Sequence, residues 1–264
     1  MVVVKSGVLC PYIVPLCALF SSCGESEQPL EQVSEKSCAV NRDATFSIKN
    51  VDGSIRIYGS DKPEMRLQAT KAAYTPERLN KIAVDVSAEP GAVSIDTRFP
   101  PTPTWGFFDR SGTVDYVIVI PATAKLSRLE LANGEVLIDS MGGDDVHAHL
   151  GRGRLFAHNC FSNLHLSVTS GGLDLIYDWW ERRHFSVDAQ LVNGNLRAFL
   201  PGDASFHLAA QVVNGKIGND FANKEQRRSG STVNNTVTSV GEQPAAEINL
   251  RAEHGNIRIV EKNP

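Results

Sequence analysis

The chain has 264 residues, of which 42% are apolar, so it is long enough for one large β domain or two small ones and too apolar for disorder throughout. Its formal net charge is only -4, and its basic residues are dispersed along the sequence. These features exclude the concentrated basic surface that binding to DNA or RNA requires, so nucleic acid is not expected as a partner.

The first 22 residues are typical of an export signal. Lys5 precedes a mostly apolar run over residues 7–20, which two prolines interrupt and which is too short for a comfortable transmembrane helix. The sequence LFSSCG at 19–24 resembles the bacterial lipobox, in which the chain is cleaved before the cysteine and the thiol is acylated. We therefore predict a signal peptide over 1–22 and a lipid anchor at Cys23, with a membrane as partner. Ordinary secretion and a cytoplasmic chain are the alternatives.

Residues 23–37 are predicted to be the lipidated cysteine and a flexible tether, because the segment is rich in Glu, Ser and Gln. The folded domain is expected over 38–264. Export implies an oxidising compartment, in which Cys38 and Cys160 could form a disulfide. Two free, partly buried thiols fit the sequence equally well.

The segment TPERLNKI at 75–82 predicts a short helix. Thr75 stands before Pro76, Glu77 lies in the first turn, and two apolar residues three positions apart share one face. We expect this helix to cover an open end of the fold, where an exposed sheet edge would otherwise pair with other chains.

A motif of about 20 residues recurs through the rest of the chain. It alternates apolar and polar residues, reaches a glycine that often follows asparagine, and then resumes the alternation. The two copies most alike end at Gly194 and Gly215, and the 40-residue gap from Gly215 to Gly255 leaves room for a degenerate copy around Gly230. Seven glycines mark the copies: Gly53, Gly134, Gly153, Gly171, Gly194, Gly215 and Gly255.

Positions five before and two after the glycine are apolar in all seven copies, and position seven before it is apolar in all except the copy with Ser127. A fixed period of this length indicates stacked units that bury their apolar faces against their neighbours. Two arrangements fit: a β-solenoid with parallel coils and glycines at the corners, or an antiparallel meander with glycines in hairpin turns.

Several of these segments resemble a known family, the putative-adhesin domain of unknown function in bacterial envelope proteins. The resemblance covers about residues 40–262, implies a β-solenoid and an adhesin-like role, and includes no catalytic residue among its motifs. We therefore predict an all-β protein with a single β-solenoid of about 20-residue coils. The segments are NVDGSIRIYG (50–59), VDYVIVIPATAKLSRLELANGEVLI (114–138), FSVDAQLVNGNLRAFLPGDASFHLAAQVVNGKI (185–217) and INLRAEHGNIRIVEK (248–262).

Histidines mark the outward face, six positions before the glycine. If the coils stack in parallel, His147, His165 and Asp188 form a column with neighbours about 4.8 Å apart. Imidazoles and a carboxylate at that spacing could share a transition metal, with His149 nearby. The sequence favours the simpler interpretation, a solvated polar face without a metal, and it indicates no cofactor.

Large aromatic side chains occur in two segments that the repeat does not require. Exposed aromatic patches often bind a sugar, a peptide or a partner protein, so these residues are the candidate binding surface. The alternative is that the rings fold back and cover an end or side of the solenoid. The residues are Trp105, Phe107, Phe108, Trp179 and Trp180.

For catalysis, the sequence offers no convincing nucleophile with a base, no paired carboxylates at a defined spacing and no phosphate-binding loop. We therefore predict a non-enzymatic, lipid-anchored module of the bacterial cell envelope, facing the periplasm or the surface, with a glycan or protein partner. Two alternatives stay open. One is a β-helical enzyme acting on polysaccharide, which would need a charged groove along one sheet, and the other is an envelope-sensing partner protein.

Overall fold

The computed structural model describes residues 28–101, 112–222 and 234–262, and in these ranges the chain forms thirteen strands and one short helix. The helix is α1 (Pro76–Lys81). The strands are β1 (Leu30–Ala39), β2 (Thr45–Ser60), β3 (Glu64–Ala73), β4 (Ala83–Glu89), β5 (Ala92–Arg98), β6 (Thr113–Pro121), β7 (Lys125–Asp139), β8 (Asp145–His158), β9 (Asn163–Ile176), β10 (Phe185–Pro201), β11 (Phe206–Asn219), β12 (Asn235–Val240) and β13 (Ala246–Lys262).

Seven of these strands are 14 to 17 residues long, and each contains one of the seven glycines of the sequence motif. The strands pair in parallel, in the order β2-β7-β8-β9-β10-β13-β11, and the register places every glycine beside the next one. We call the halves before the glycines wall A and the halves after them wall B. The protein is therefore an all-β solenoid, and the glycines are corners within strands rather than hairpin turns.

The apolar positions of the motif point between the two walls. Residues five before the glycine are at most 4% exposed in all seven coils. The exception at Ser127 is explained by a β-bulge: the register shifts so that Leu126 pairs with Phe46 and is fully buried, while Ser127 faces outward. Ile217 is half-buried, because β11 is the last strand of wall B and β12 pairs only with the wall A half of β11.

Among the seven long strands, the order in the sheet differs from the sequence order at one place. The C-terminal strand β13 lies between β10 and β11, so the two copies most alike in sequence are not neighbours. Their inward residues are equivalent to those of β13, including Ile248 and Leu250, so β13 can pair on both sides with the glycines in register. The sequence position of the suggested degenerate copy, around Gly230, lies outside the described residues.

Antiparallel strands extend both walls at the N-terminal end of the stack. Beyond β2, wall A continues through β5 and β4, and wall B continues through β6, β3 and β1. Helix α1 forms as predicted, with the Thr75 hydroxyl accepting a hydrogen bond from the Arg78 N–H, but none of its residues is buried. Leu79 is partly buried against the core, so the helix lies on the surface at this end, and its predicted covering role stays a prediction.

Strand β1 corrects the prediction of a flexible tether over 23–37. Residues 30–39 pair with β3 over ten residues, so the fold begins within that segment. Nine of the ten β1 side chains are exposed, and the strand is held mainly by backbone hydrogen bonds. Its composition therefore resembles that of a linker. In the described part of the chain, no helix has the length and apolarity to cross a bilayer.

The corner glycines allow the coils to approach each other closely. Six of the seven have φ between +125° and +141°, a region that L side chains rarely adopt. A Cβ at Gly153 would lie 1.8 Å from the carbonyl oxygen of Gly134 in the preceding coil, and Gly171 has the same relation to Gly153. Any side chain at these positions would force the coils apart.

We predict that Gly153→Ala destabilises the fold by about 3 kcal/mol, because it combines backbone strain with a clash against a backbone carbonyl. Urea unfolding followed by circular dichroism measures the change. Gly218→Ala is the matched control, since a Cβ there has nothing within 4 Å, and its stability should stay within about 0.5 kcal/mol. Equal stability of the two variants would contradict this role of the corner glycines.

Candidate functional site

The outer face of wall A carries a shallow groove of about 460 Å³ across strands β7 to β10. In β8, β9 and β10, residues that lie eight, six and four positions before the glycine point outward, because side chains alternate along a strand. Parallel pairing in register then repeats the same position from coil to coil. We call this surface the histidine groove, and its lining includes His147, His149, His165, Ser167 and Asp188.

The structure places the histidine column in register, as the parallel stack requires. His147 pairs with His165, and His165 pairs with Asp188. The two imidazole rings stack with their centroids 4.5 Å apart and their planes at 18°. Asp145 joins them, because a ligand atom from each of Asp145, His147 and His165 lies within 4.8 Å of the others. Asp145 could have been found from the sequence, since it precedes His147 by two positions and therefore shares its face.

Ion pairs surround the groove. Lys125 Nζ lies 2.7 Å from Asp145 Oδ2, and Arg128 donates two hydrogen bonds of 2.7 Å to the carboxylate of Glu130. The hydrogen bond from Lys125 lowers the pKa of Asp145, and the hydrogen bond from Arg128 lowers the pKa of Glu130. Both carboxylates are therefore held in their charged form.

His149 and Asp188, which also line the groove, differ in their hydrogen bonds. His149 Nδ1 lies 2.8 Å from the Ser167 hydroxyl, so this histidine has a side-chain partner on the next strand. Asp188 accepts a long hydrogen bond of 3.5 Å from Gln190 at Oδ2, while its Oδ1 is buried without a hydrogen-bond partner among the described residues. A buried carboxylate oxygen without a partner is energetically costly.

Trp179 and Trp180 have opposite environments. Trp180 packs against Tyr177, Phe185 and Phe206, with ring centroids 5.4 to 5.7 Å apart. It covers the side of the solenoid at the connection between β9 and β10. Trp180 is therefore partly buried, as in the alternative that the rings cover a side of the solenoid, and its role in surface binding stays a prediction. Trp179 is 49% exposed and touches only the edge of the same cluster, through Phe161 at 6.1 Å. The other predicted aromatics, Trp105, Phe107 and Phe108, lie outside the described residues.

The two cysteines considered for a disulfide are both free. Cys38 lies on β1 at one edge of wall B, whereas Cys160 lies in the connection between β8 and β9. Strands β3, β6, β2 and β7 separate them. The pairing is therefore ruled out by the strand order. Burial raises the pKa of the Cys160 thiol to about 12, so it is inert as a nucleophile. The predicted lipidation site, Cys23, lies outside the described residues.

A second charged cluster, which sequence reasoning missed, lies where wall B ends. His158 Nε2 is 2.6 Å from Asp178 Oδ2, and Lys262 Nζ is 2.6 Å from Asp178 Oδ1. His158 Nδ1 also approaches Asp139 Oδ1 at 3.2 Å. The hydrogen bonds from Lys262 and then His158 lower the pKa of Asp178 to about 2. This cluster links the last residue of β13 to the ends of β7 and β8 and to the connection that follows β9.

One carboxylate on the outer face of wall B is fully buried. Asp174 accepts two hydrogen bonds from Arg197 on the neighbouring strand, at 2.7 and 2.5 Å, and its side chain is 2% exposed. The geometry is the fork-shaped pairing that arginine makes with a carboxylate. Asp174 is therefore a structural partner of Arg197 across two coils.

The parallel strands in register, the two walls and the corner glycines define a β-solenoid of stacked coils. The chain belongs to the Toastrack DUF4097 family, whose model matches residues 120–260, just over half of the sequence. This membership confirms the family resemblance seen in the repeats. A search of curated proteins finds no match.

Solved structures of bacterial proteins are similar to this chain. A putative cell adhesion protein from Clostridium sporogenes is 14% identical, with a TM-score of 0.51 over 88% of this chain and 100% of its own. A putative adhesin from Bacteroides fragilis is 10% identical, with a TM-score of 0.33 over 88% of this chain and 99% of its own. A putative lipid binding protein from Parabacteroides distasonis is 12% identical, with a TM-score of 0.32 over 88% and 95%. Because the identity is only 14%, the similarity to the Clostridium sporogenes structure shows the fold alone.

The cluster around Asp178 predicts a dependence of stability on acid. The folded pKa of about 2 lies below the ordinary aspartate value of about 3.9, so the stabilisation is fully present above about pH 4 and is lost as the pH falls towards 2. In Asp178→Asn, the urea midpoint should therefore fall less between pH 4 and pH 2 than in the wild type. Lys262→Met removes the largest cause of the shift and should act in the same direction. Identical pH profiles in all three proteins would contradict the assignment.

Proposed function

We propose that the protein is a non-enzymatic binding module of the bacterial cell envelope with an adhesin-like role. A lipid at Cys23 would hold it to a membrane, and the solenoid would present a glycan-binding or protein-binding surface. The observation that carries the proposal is Trp179, the only tryptophan or phenylalanine in the described part of the chain whose ring is exposed.

Trp179 lies on a rigid base. Its neighbour Trp180 is anchored in the aromatic cluster beneath it, and Phe161 contacts both indoles at 6.1 and 6.4 Å between centroids. An exposed indole fixed in this way loses little conformational entropy when it binds, which is why tryptophan is enriched among the residues that dominate interfaces. Charged residues follow the two tryptophans: Glu181 lies 3.7 Å from Arg183 as an ion pair, and Arg182 adds a positive charge.

The stack itself suits surface attachment. Parallel pairing through seven coils, with antiparallel strands at both ends, gives a rigid body whose outer walls repeat side chains at the spacing between strands. A membrane-held body of this kind can make several weak contacts at once, which raises the effective affinity. The name of the Clostridium sporogenes structure, a putative cell adhesion protein, agrees with this role.

The carboxylates give no support to the alternative of a polysaccharide-acting enzyme. A general acid needs a raised pKa so that it keeps its proton near neutral pH. In the described residues, the pKa of each aspartate or glutamate with a resolved shift is lowered: Glu77, Glu130, Asp145 and Asp178. No observation favours the envelope-sensing role over the adhesive one, and a search for protein partners would reveal it.

We predict that Trp179→Ala weakens binding to the partner by about 30-fold, as expected for a residue that contributes about 2 kcal/mol at an interface. The probe is a glycan array together with a pull-down of envelope proteins, followed by measurement of affinity for each hit. The soluble form should begin at Gln28, because a start at Lys36 would remove the first six of the ten residues of β1. Trp105→Ala tests the other aromatic segment in parallel.

Tyr74→Ala is the matched control for Trp179→Ala, since Tyr74 is also an exposed aromatic residue, 42% exposed, but follows β3 near the N-terminal end of the stack. Its affinity should equal that of the wild type. Full binding by the Trp179 variant, with both variants folded by circular dichroism, would exclude Trp179 as the contact residue.

We predict that Cys23→Ser moves the protein from the membrane fraction to the soluble fraction, because the acylated thiol is lost. Fractionation and immunoblotting of cells that express the full chain measure the distribution. Cys17→Ser is a suitable control, since Cys17 lies within the predicted signal peptide and should leave anchoring intact. An unchanged membrane fraction for Cys23→Ser would contradict the lipid anchor.

A further inference from the structure

We propose that the histidine groove binds one divalent transition-metal ion through His147, His165 and Asp145, with Asp188 as a fourth ligand. The proposal goes beyond the adhesive role, because it uses residues on wall A and makes no use of Trp179. It rests on the distances, the strand register and an unpaired carboxylate oxygen.

The strand register fixes the positions from which the ligands reach the ion. Parallel pairing puts His147 and His165 on one face of adjacent strands, and Asp145 shares that face two residues before His147. The three ligand atoms lie within 4.8 Å of one another. A tetrahedral ion with bonds of about 2.0–2.2 Å needs ligand atoms about 3.3 Å apart. Small rotations of the two exposed imidazoles would provide the remaining approach without any movement of the backbone.

The stacking of the imidazoles favours a shared ligand. Their ring planes are 18° from parallel and their centroids 4.5 Å apart, so the two imidazoles lie side by side in the groove on neighbouring strands. His149 is on the same face but has the Ser167 hydroxyl as partner at 2.8 Å, which separates it from the ligand set.

Asp188 supplies the second independent observation. Its Oδ1 is buried and lacks a hydrogen-bond partner among the described residues, and its strand position is directly beside His165. An ion between these two residues would satisfy the oxygen and offset the cost of its desolvation. The column would then join strands β8, β9 and β10 through one ion.

The donor set indicates the class of metal. Two imidazoles with carboxylates suit Zn²⁺, Co²⁺, Ni²⁺ or Cu²⁺, whereas Mg²⁺ and Ca²⁺ prefer oxygen ligands throughout. Lys125 lowers the affinity for the ion, because its ammonium pairs with Asp145 Oδ2 at 2.7 Å and adds positive charge beside the site. Asp145 keeps its other oxygen for coordination, and the charge of Lys125 provides a way to test the site.

The test is a titration of the full chain in detergent with Co²⁺, followed by its visible absorption, and displacement of the Co²⁺ by Zn²⁺. We expect one ion per chain and absorption typical of nitrogen and oxygen ligands. His165→Gln should weaken binding by more than the roughly 10-fold to 100-fold that loss of an outer-shell partner costs. Asp188→Asn should weaken binding less, and Lys125→Met should tighten it.

His149→Gln is the matched control, because it removes a histidine from the same groove without removing a proposed ligand. Its affinity for Co²⁺ should equal that of the wild type, and circular dichroism should show that every variant is folded. Equal binding by wild type and His165→Gln, or a sulfur-to-cobalt charge-transfer band that assigns the ion to cysteines, would overturn the proposal. Either result leaves the test of Trp179 unaffected, since that test measures binding of glycans and proteins.

Discussion

The close approach of one corner glycine to the carbonyl oxygen of the next is the constraint on which the rest of the structure depends. At Gly134, Gly153, Gly171, Gly194 and Gly255, that oxygen lies 1.6 to 1.8 Å from the place where a Cβ would be. A side chain could therefore be tolerated only if the coils separated. Because every glycine must lie beside another glycine, the register of both walls is fixed at once, and a slip by one residue would turn the apolar faces outward. The neighbours of every outward residue follow from the same constraint: His147 lies beside His165 because Gly153 lies beside Gly171.

Much of this could be predicted from the sequence because the governing features are local and repeated. The alternation around each glycine indicated which residues enter the core, and Ile48, Leu129, Leu166 and Leu250 are all at most 1% exposed. The family resemblance chose parallel stacking over a meander, which alternation by itself did not do. In a parallel stack, residues at the same distance before the glycine lie side by side, which predicts the histidine column. Asp145 could have been added in the same way.

The features that could not be predicted depend on contacts that no local pattern encodes. Strand β13 lies between β10 and β11 because all three present equivalent inward faces, so the motif does not specify which copy pairs with which. The contact of Lys262 with Asp178 depends on that insertion, since Lys262 is the last residue of β13 and pairs with Pro201 of β10. Strand β1 escaped detection because it buries almost no side chain, and the difference between Trp179 and Trp180 is decided by ring contacts within one long corner.

The arrangement separates the residues that hold the fold from those that are free to acquire a function. Inward positions and corner glycines are constrained in every coil, whereas most outward positions and some residues of the connections between coils are not. Between β7 and β11 the connections are residues 140–144, 159–162, 177–184 and 202–205, and the longest of them contains Trp179. The histidine groove likewise arises from three outward positions in adjacent coils, with no change to the core beneath them. Because the glycines and the inward residues set the register, a substitution at one outward position changes one side chain of a site. The neighbouring strands stay aligned. A solenoid of this kind can therefore carry an aromatic contact surface at one corner and a polar groove on wall A at the same time, and each can be altered independently of the other.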